Sequence, residues 1–95
     1  MGNLAELRQR AVEAGSSWIV ERIYGVGRSE LPVVEGFDQE EVALERMGEL
    51  IEEAAGKRFG ERELKRMVRE GGFYTQTFKV KLEPMEVYRQ LYDLT

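Results

Sequence analysis

Two rows of side chains carry most of what this chain could use for recognition. Glu41, Glu45, Glu49 and Glu52 recur three or four residues apart, and Arg62, Arg66 and Arg69 do the same further along. On a helix this spacing stacks side chains along one side. Four carboxylates in line make a short anionic ridge. Three guanidiniums present planar forks of donors suited to carboxylates and phosphates. The flanking residues reinforce both rows: residues 38–53 hold seven acidic side chains against one basic, Arg46, and residues 57–69 hold six basic against two acidic, Glu61 and Glu63. The net charge of −4 therefore conceals two fields of opposite sign.

Other chemistry is thinly supplied. With no cysteine there can be no disulfide, thiolate metal site or thiol nucleophile. With no histidine the commonest general base, zinc ligand and near-neutral proton switch are missing too. An enzyme would have to work with carboxylates, Lys, Arg, Tyr and hydroxyls alone, so the expectation is a protein that is not an enzyme. Carboxylates four apart on a helix cannot wrap six oxygens around a calcium, and neither a metal nor another cofactor is expected. The glycines of Gly25-Val26-Gly27-Arg28-Ser29 invite comparison with a phosphate loop, but no glycine-lysine pair and no helix follow. A turn between strands accounts for them.

A second set of residues suits nucleic acid. Lys57, Arg58, Arg62, Arg66 and Arg69 lead through Gly71-Gly72 to Phe73, Lys79 and Lys81. Basic residues interleaved with aromatics on a strand can neutralise phosphates while the rings stack on bases. The competing assignment places Tyr74, Phe78, Val80 and Leu82 in the core and leaves Phe73, Thr75, Thr77, Lys79 and Lys81 on an exposed face.

The elements that position these residues follow from periodicity and punctuation. Asn3, with Glu6 three residues on, opens a helix that closes at Gly15, and residues 1–15 could equally be a mobile arm. Residues 17–26 alternate as a strand, with Trp18, Val20, Tyr24 and Val26 on one side and Ile19 and Ile23 on the other. Leu31–Glu35 makes its hairpin partner, with Pro32 near an edge. Asp38 is the expected N-cap of a helix running to Ala55, with Glu41 at its third position, Phe37 and Val42 as a hydrophobic staple, and Gly56 closing it. A helix over 61–70 ends at Gly71-Gly72, Phe73–Glu83 reads as one strand, and Pro84 begins a last helix with Met85, Tyr88, Leu91 and Tyr92 as its apolar stripe.

Together these predict one α+β domain over residues 1–95, of order αββααβα: a small antiparallel sheet of about three strands with helices on one face. No apolar run approaches the roughly 20 residues of a membrane span, and Met1–Arg10 lacks the apolar core of a secretory signal. The expected setting is cytoplasmic, without a membrane. The charge pattern points to a small non-enzymatic interaction protein, an adaptor or inhibitor of the kind phages encode. It would bind a protein partner through Glu41, Glu45, Glu49, Glu52, Arg62, Arg66 and Arg69. The alternative is a nucleic-acid-binding module built on the 57–81 segment. Two further fates of the rows fit the same pattern: pairing with each other inside one molecule, or pairing between copies in a homo-oligomer. Each row is also what the solvated face of an amphipathic helix looks like.

Overall fold

The computed structural model describes residues 3–25 and 30–94. The elements run α1 (Leu4–Glu13), β1 (Trp18–Tyr24), β2 (Val33–Phe37), α2 (Glu40–Ala55), α3 (Glu61–Arg69), β3 (Phe73–Tyr74), β4 (Phe78–Pro84) and α4 (Met85–Tyr92). The strands form one antiparallel sheet in the order β2-β1-β4-β3. The α+β class holds, with four strands in place of about three. Val26 of the expected first strand and the turn residues Gly27, Arg28 and Ser29 lie outside the described residues.

The extra strand arises where one long strand was expected. Thr75 breaks it: its Oγ1 accepts hydrogen bonds from the backbone N–H groups of Thr77 and Phe78, and its own N–H donates to the Phe78 carbonyl. A hydroxyl that captures nearby backbone groups offers the chain a turn instead of a ladder. The chain reverses, so Phe73 pairs with Val80 and Tyr74 with Lys79. The reversal also exchanges the two aromatics. Phe73 packs between Phe59 and Phe78, with centroids 5.6 and 5.9 Å away. Tyr74 is exposed, its hydroxyl donating to the Gly71 carbonyl.

Helices cover both faces of the sheet, not one. Alternation along β1 sends Val20 towards α2 and α3, where it joins Leu44, Met47, Leu50, Ile51 and Leu64 in the main core. Met47, Leu50 and Ile51 are fully buried, and burying side chains of this size stabilises by roughly 1.5–3 kcal/mol each. The opposite side of β1 sends Ile19 into a second, smaller cluster with Ala11 and Val12 of α1 and Tyr88 of α4. On α4 the side against the sheet is Met85, Tyr88 and Tyr92, and Leu91 is 55 % exposed, so the expected stripe is narrower than drawn.

Local boundaries shift in understandable ways. The second strand is Val33–Phe37, two residues later than expected; it starts after Pro32, which has no N–H to give a ladder. Gln39, not Asp38, is the N-cap of α2, in an extended conformation and without a side-chain cap bond. This leaves Val42 at the third helical position and nearly half exposed. Gly56 closes α2 in left-handed geometry as expected (φ 70°). At the end of α3, Gly72 N–H donates to the Met67 carbonyl at 2.7 Å and Gly71 N–H to the Val68 carbonyl at 3.2 Å. That pair of bonds is the Schellman closure.

Gly72 is fixed by two constraints. Its φ is 125°, and a Cβ there would lie 2.7 Å from the Val80 carbonyl oxygen. Gly15, at φ 78°, has open space around a Cβ. Gly72→Ala should therefore cost roughly 2 kcal/mol or more, and Gly15→Ala about 1 kcal/mol from backbone conformation alone. Urea unfolding of the two variants checks the difference; equal losses would mean that the Gly72 contact is relieved without cost.

Candidate functional site

The outer layer formed by α2 and α3 carries both charged rows. The two helices pack antiparallel as a hairpin joined by residues 56–60, with Leu44 beside Val68 and Gly48 beside Leu64. A Cβ at Gly48 would sit 3.1 Å from Leu64 Cδ1, so glycine here lets the helices approach closely. With Ala43, Leu44, Met47, Leu50 and Ile51 turned to the core, Glu41, Glu45, Glu49 and Glu52 fall on the outward side of α2. With Leu64 and Met67 turned inward, Arg62, Arg66 and Arg69 fall on the outward side of α3. All seven are exposed. Shallow clefts of about 300, 250 and 170 Å³ follow the seam, walled by carboxylates on the α2 side and by Glu61, Lys65, Arg69 and Arg58 on the other.

The rows do not pair with each other. Among the described residues, no ion pair links a carboxylate of α2 to a cation of α3. Arg46 turns the other way: its Nε donates to Glu35 of β2 at 2.6 Å, and its Nη1 reaches Glu49 at 3.1 Å and Glu53 at 3.5 Å. The Glu35 hydrogen bonds hold the Arg46 guanidinium charged, well above the ordinary arginine range. Lys65 and Glu61 pair within α3 at 3.4 Å. Glu41, Glu45 and Glu52 on one helix, and Arg62, Arg66 and Arg69 on the other, have no ion-pair partner among the described residues.

Residues of the nucleic-acid alternative are separated. Lys57, Arg58, Arg62, Arg66 and Arg69 are exposed. Phe73 is partly buried at the core edge, packed against Phe59 and Phe78. Lys79 is half-buried beside a cleft of about 220 Å³ with Tyr74 and Thr75, at the turn end of the sheet. Lys81 is only 7 % exposed and lies on the opposite face from α3. The exposed basic surface is thus the 57–69 segment alone, and it abuts the acidic row.

A second charged assembly lies beneath α1 and α4, where none was expected. Glu21, at the centre of β1, is 1 % exposed. Arg8 of α1 grips it with a two-pronged contact, Nε to Oε2 at 3.0 Å and Nη2 to Oε1 at 2.8 Å. The Tyr88 hydroxyl of α4 donates to Oε2 as well. Arg8 also stacks on Tyr92, its Cζ 3.6 Å from the ring centroid, and Lys81, the ladder partner of Glu21, places its ammonium 4.1 Å from the same ring. Burial lowers the Lys81 pKa against the pull of Glu21. Burial and then the Glu21 hydrogen bond raise the Tyr88 pKa far above its usual range. The one advance signal was that both sides of β1 carry apolar residues, Ile19 and Ile23 as well as Val20.

Among the described residues, no set of three carboxylates or other ligands could hold a metal ion, and no helix is long and apolar enough to cross a membrane. In comparisons with known proteins, no family model, curated protein or solved structure matches the chain.

Removing Arg8 leaves a buried carboxylate short of two donors. Arg8→Ala should cost about 2–3 kcal/mol, with Arg8→Lys recovering only part, since an ammonium cannot form the fork. Tyr88 adds a pH dependence. Its folded pKa lies above the unfolded value of 10.0, so the stability it contributes is complete below pH 10 and is lost as pH rises above it. Unfolding free energies from pH 8 upward should fall more steeply for the natural chain than for Tyr88→Phe. Parallel curves would remove Tyr88 as the source.

Proposed function

We propose that this chain is a small non-enzymatic interaction protein, an adaptor or inhibitor, that binds a macromolecular partner through the outer surface of α2 and α3. One observation carries the reading: an acidic row and a basic row lie exposed on a single surface, and among the described residues no ion pair joins them. Charges held in order on rigid helices, with their apolar sides already committed to a core, mainly set association rate and specificity. A partner with both signs of charge fits this surface better than a nucleic-acid strand, whose phosphates would meet Glu41 and Glu45 beside the arginines. A chain without cysteine suits a cytoplasmic setting.

The test is capture by the tagged full chain at low salt, release at high salt, and mass spectrometry of what is released. Glu45→Arg and Arg66→Glu should each reduce capture by about tenfold, since a reversal turns attraction into repulsion at a contact site. Both should remain folded, because both positions are exposed. Capture insensitive to salt and to both reversals would overturn the reading.

A further inference from the structure

The arrangement of the two rows is self-complementary, and the geometry points to a second copy of this chain as the partner, related by a two-fold axis running along the α2–α3 seam. This rests on the outer layer being the binding surface and names what it binds. The hairpin places the rows side by side, both directed outward. Rotation by half a turn about an axis parallel to the helices lays a second layer face to face on the first. In that position α2 of one copy lies over α3 of its mate, and α3 over α2. A two-fold axis at right angles to the helices would instead stack acid on acid and base on base.

The order of the charges matches under this operation. Leu44 borders Leu64 in one cleft and Val68 in the next, so Arg66, midway between those two residues, is level with Glu45. Rotation about the seam preserves this level. Arg66 of each copy then meets Glu45 of its mate, with Arg62 and Arg69 against the neighbouring carboxylates of the row; Glu41, Glu45, Glu52 and the three arginines are without ion-pair partners among the described residues. The axis passes near the Lys65–Glu61 pair; there each side chain meets its own counterpart, and the pairing of each lysine with its own glutamate offsets that like-charge contact. Each contact forms twice, once from each copy, and the symmetry closes at two.

The size of the surface sets the strength. Sixteen residues of α2 span roughly 24 Å and nine of α3 roughly 14 Å, each about 10 Å wide, giving on the order of 400 Å² per copy, below the roughly 800 Å² of a standard interface. Each copy also carries a net charge of −4, which opposes approach at long range. The dimer is therefore weak, and its attraction acts at contact.

Sedimentation equilibrium of the full chain, at low and high ionic strength, reads this directly. The natural chain should pass from one copy to two as concentration rises at low salt, and stop at two. Arg66→Glu and Glu45→Arg should each weaken self-association by about tenfold or more, because each reverses two contacts. An equimolar mixture of the two variants should restore the dimer, since one contact of the mixed pair is then the swapped charge pair between positions 66 and 45 and the other is the natural Arg66–Glu45 contact. Circular dichroism and melting of each variant establish that it is folded. A natural chain that stays monomeric at low salt overturns the proposal, as does open-ended assembly or a mixture that associates no better than its components. A monomer that still captures another macromolecule in the salt-released experiment sinks the self-association and leaves the interaction surface standing; loss of both sinks both.

Discussion

A carboxylate buried at the centre of a sheet demands donors, and Glu21 obtains them from two helices at opposite ends of the chain. An ionised group taken out of water without partners costs several kcal/mol. Arg8 and Tyr88 supply three hydrogen bonds to its two oxygens, and in doing so fix α1 and α4 across the second face. Apolar packing would hold α1 weakly by comparison: only Ala11 and Val12 of that helix are buried. The position of α1 is thus set by one guanidinium together with the Ala11–Val12 side. Tyr92 extends the assembly by serving as a surface for both Arg8 and Lys81. The three-layer architecture follows, since Ile19 and Val34 would otherwise face water.

The first face is built differently, and the difference frees α2 and α3 to carry unbalanced charge. Their inner sides are held by a continuous apolar core reaching from Val20 and Leu82 to Leu50 and Leu64. Like charges four apart on α2 cost a few tenths of a kcal/mol per pair, and no basic residue in its last turn offsets Glu52 and Glu53 against the negative end of the helix. Several fully buried side chains outweigh these terms. Arg46 meets part of the cost by joining Glu35, Glu49 and Glu53, which also ties α2 to the edge strand β2. The remaining charges are left to the outer surface.

How much of this was legible in the sequence depended on whether a local signal had a single physical meaning. Gly56 and Gly71-Gly72 marked helix ends because left-handed closure selects glycine. The acidic and basic rows were legible because helical spacing fixes which side chains share a side. The turn at Thr75 was hidden, since threonine alternating with aromatics suits a strand, and only the hydroxyl's capture of backbone groups turns it into a hairpin. That one turn exchanged Phe73 and Tyr74. Lys81 was hidden for a non-local reason: a lysine on a strand is ordinarily exposed, and its burial depends on α4 folding back over it. Glu21 was obscured likewise, although Ile19 and Ile23 on its side of β1 indicated that something covers that face.

The two charged assemblies lie on opposite sides of the sheet and share no side chain, and that separation bears on how the protein can change. Sites more than about 7–10 Å apart with no common partner contribute to stability almost additively. Substitutions in the outer rows should leave the Glu21 assembly intact, and loosening α1 should leave the rows in place, since α2 and α3 rest on the other core. The charge that is buried must be satisfied within one molecule, or the sheet loses its cover. The charge that is exposed has no such requirement, and its orderly disposition on α2 and α3 is not needed for the fold. A surface whose pattern folding does not require, and whose like charges cost it some stability, is where selection for binding would act without endangering the structure beneath.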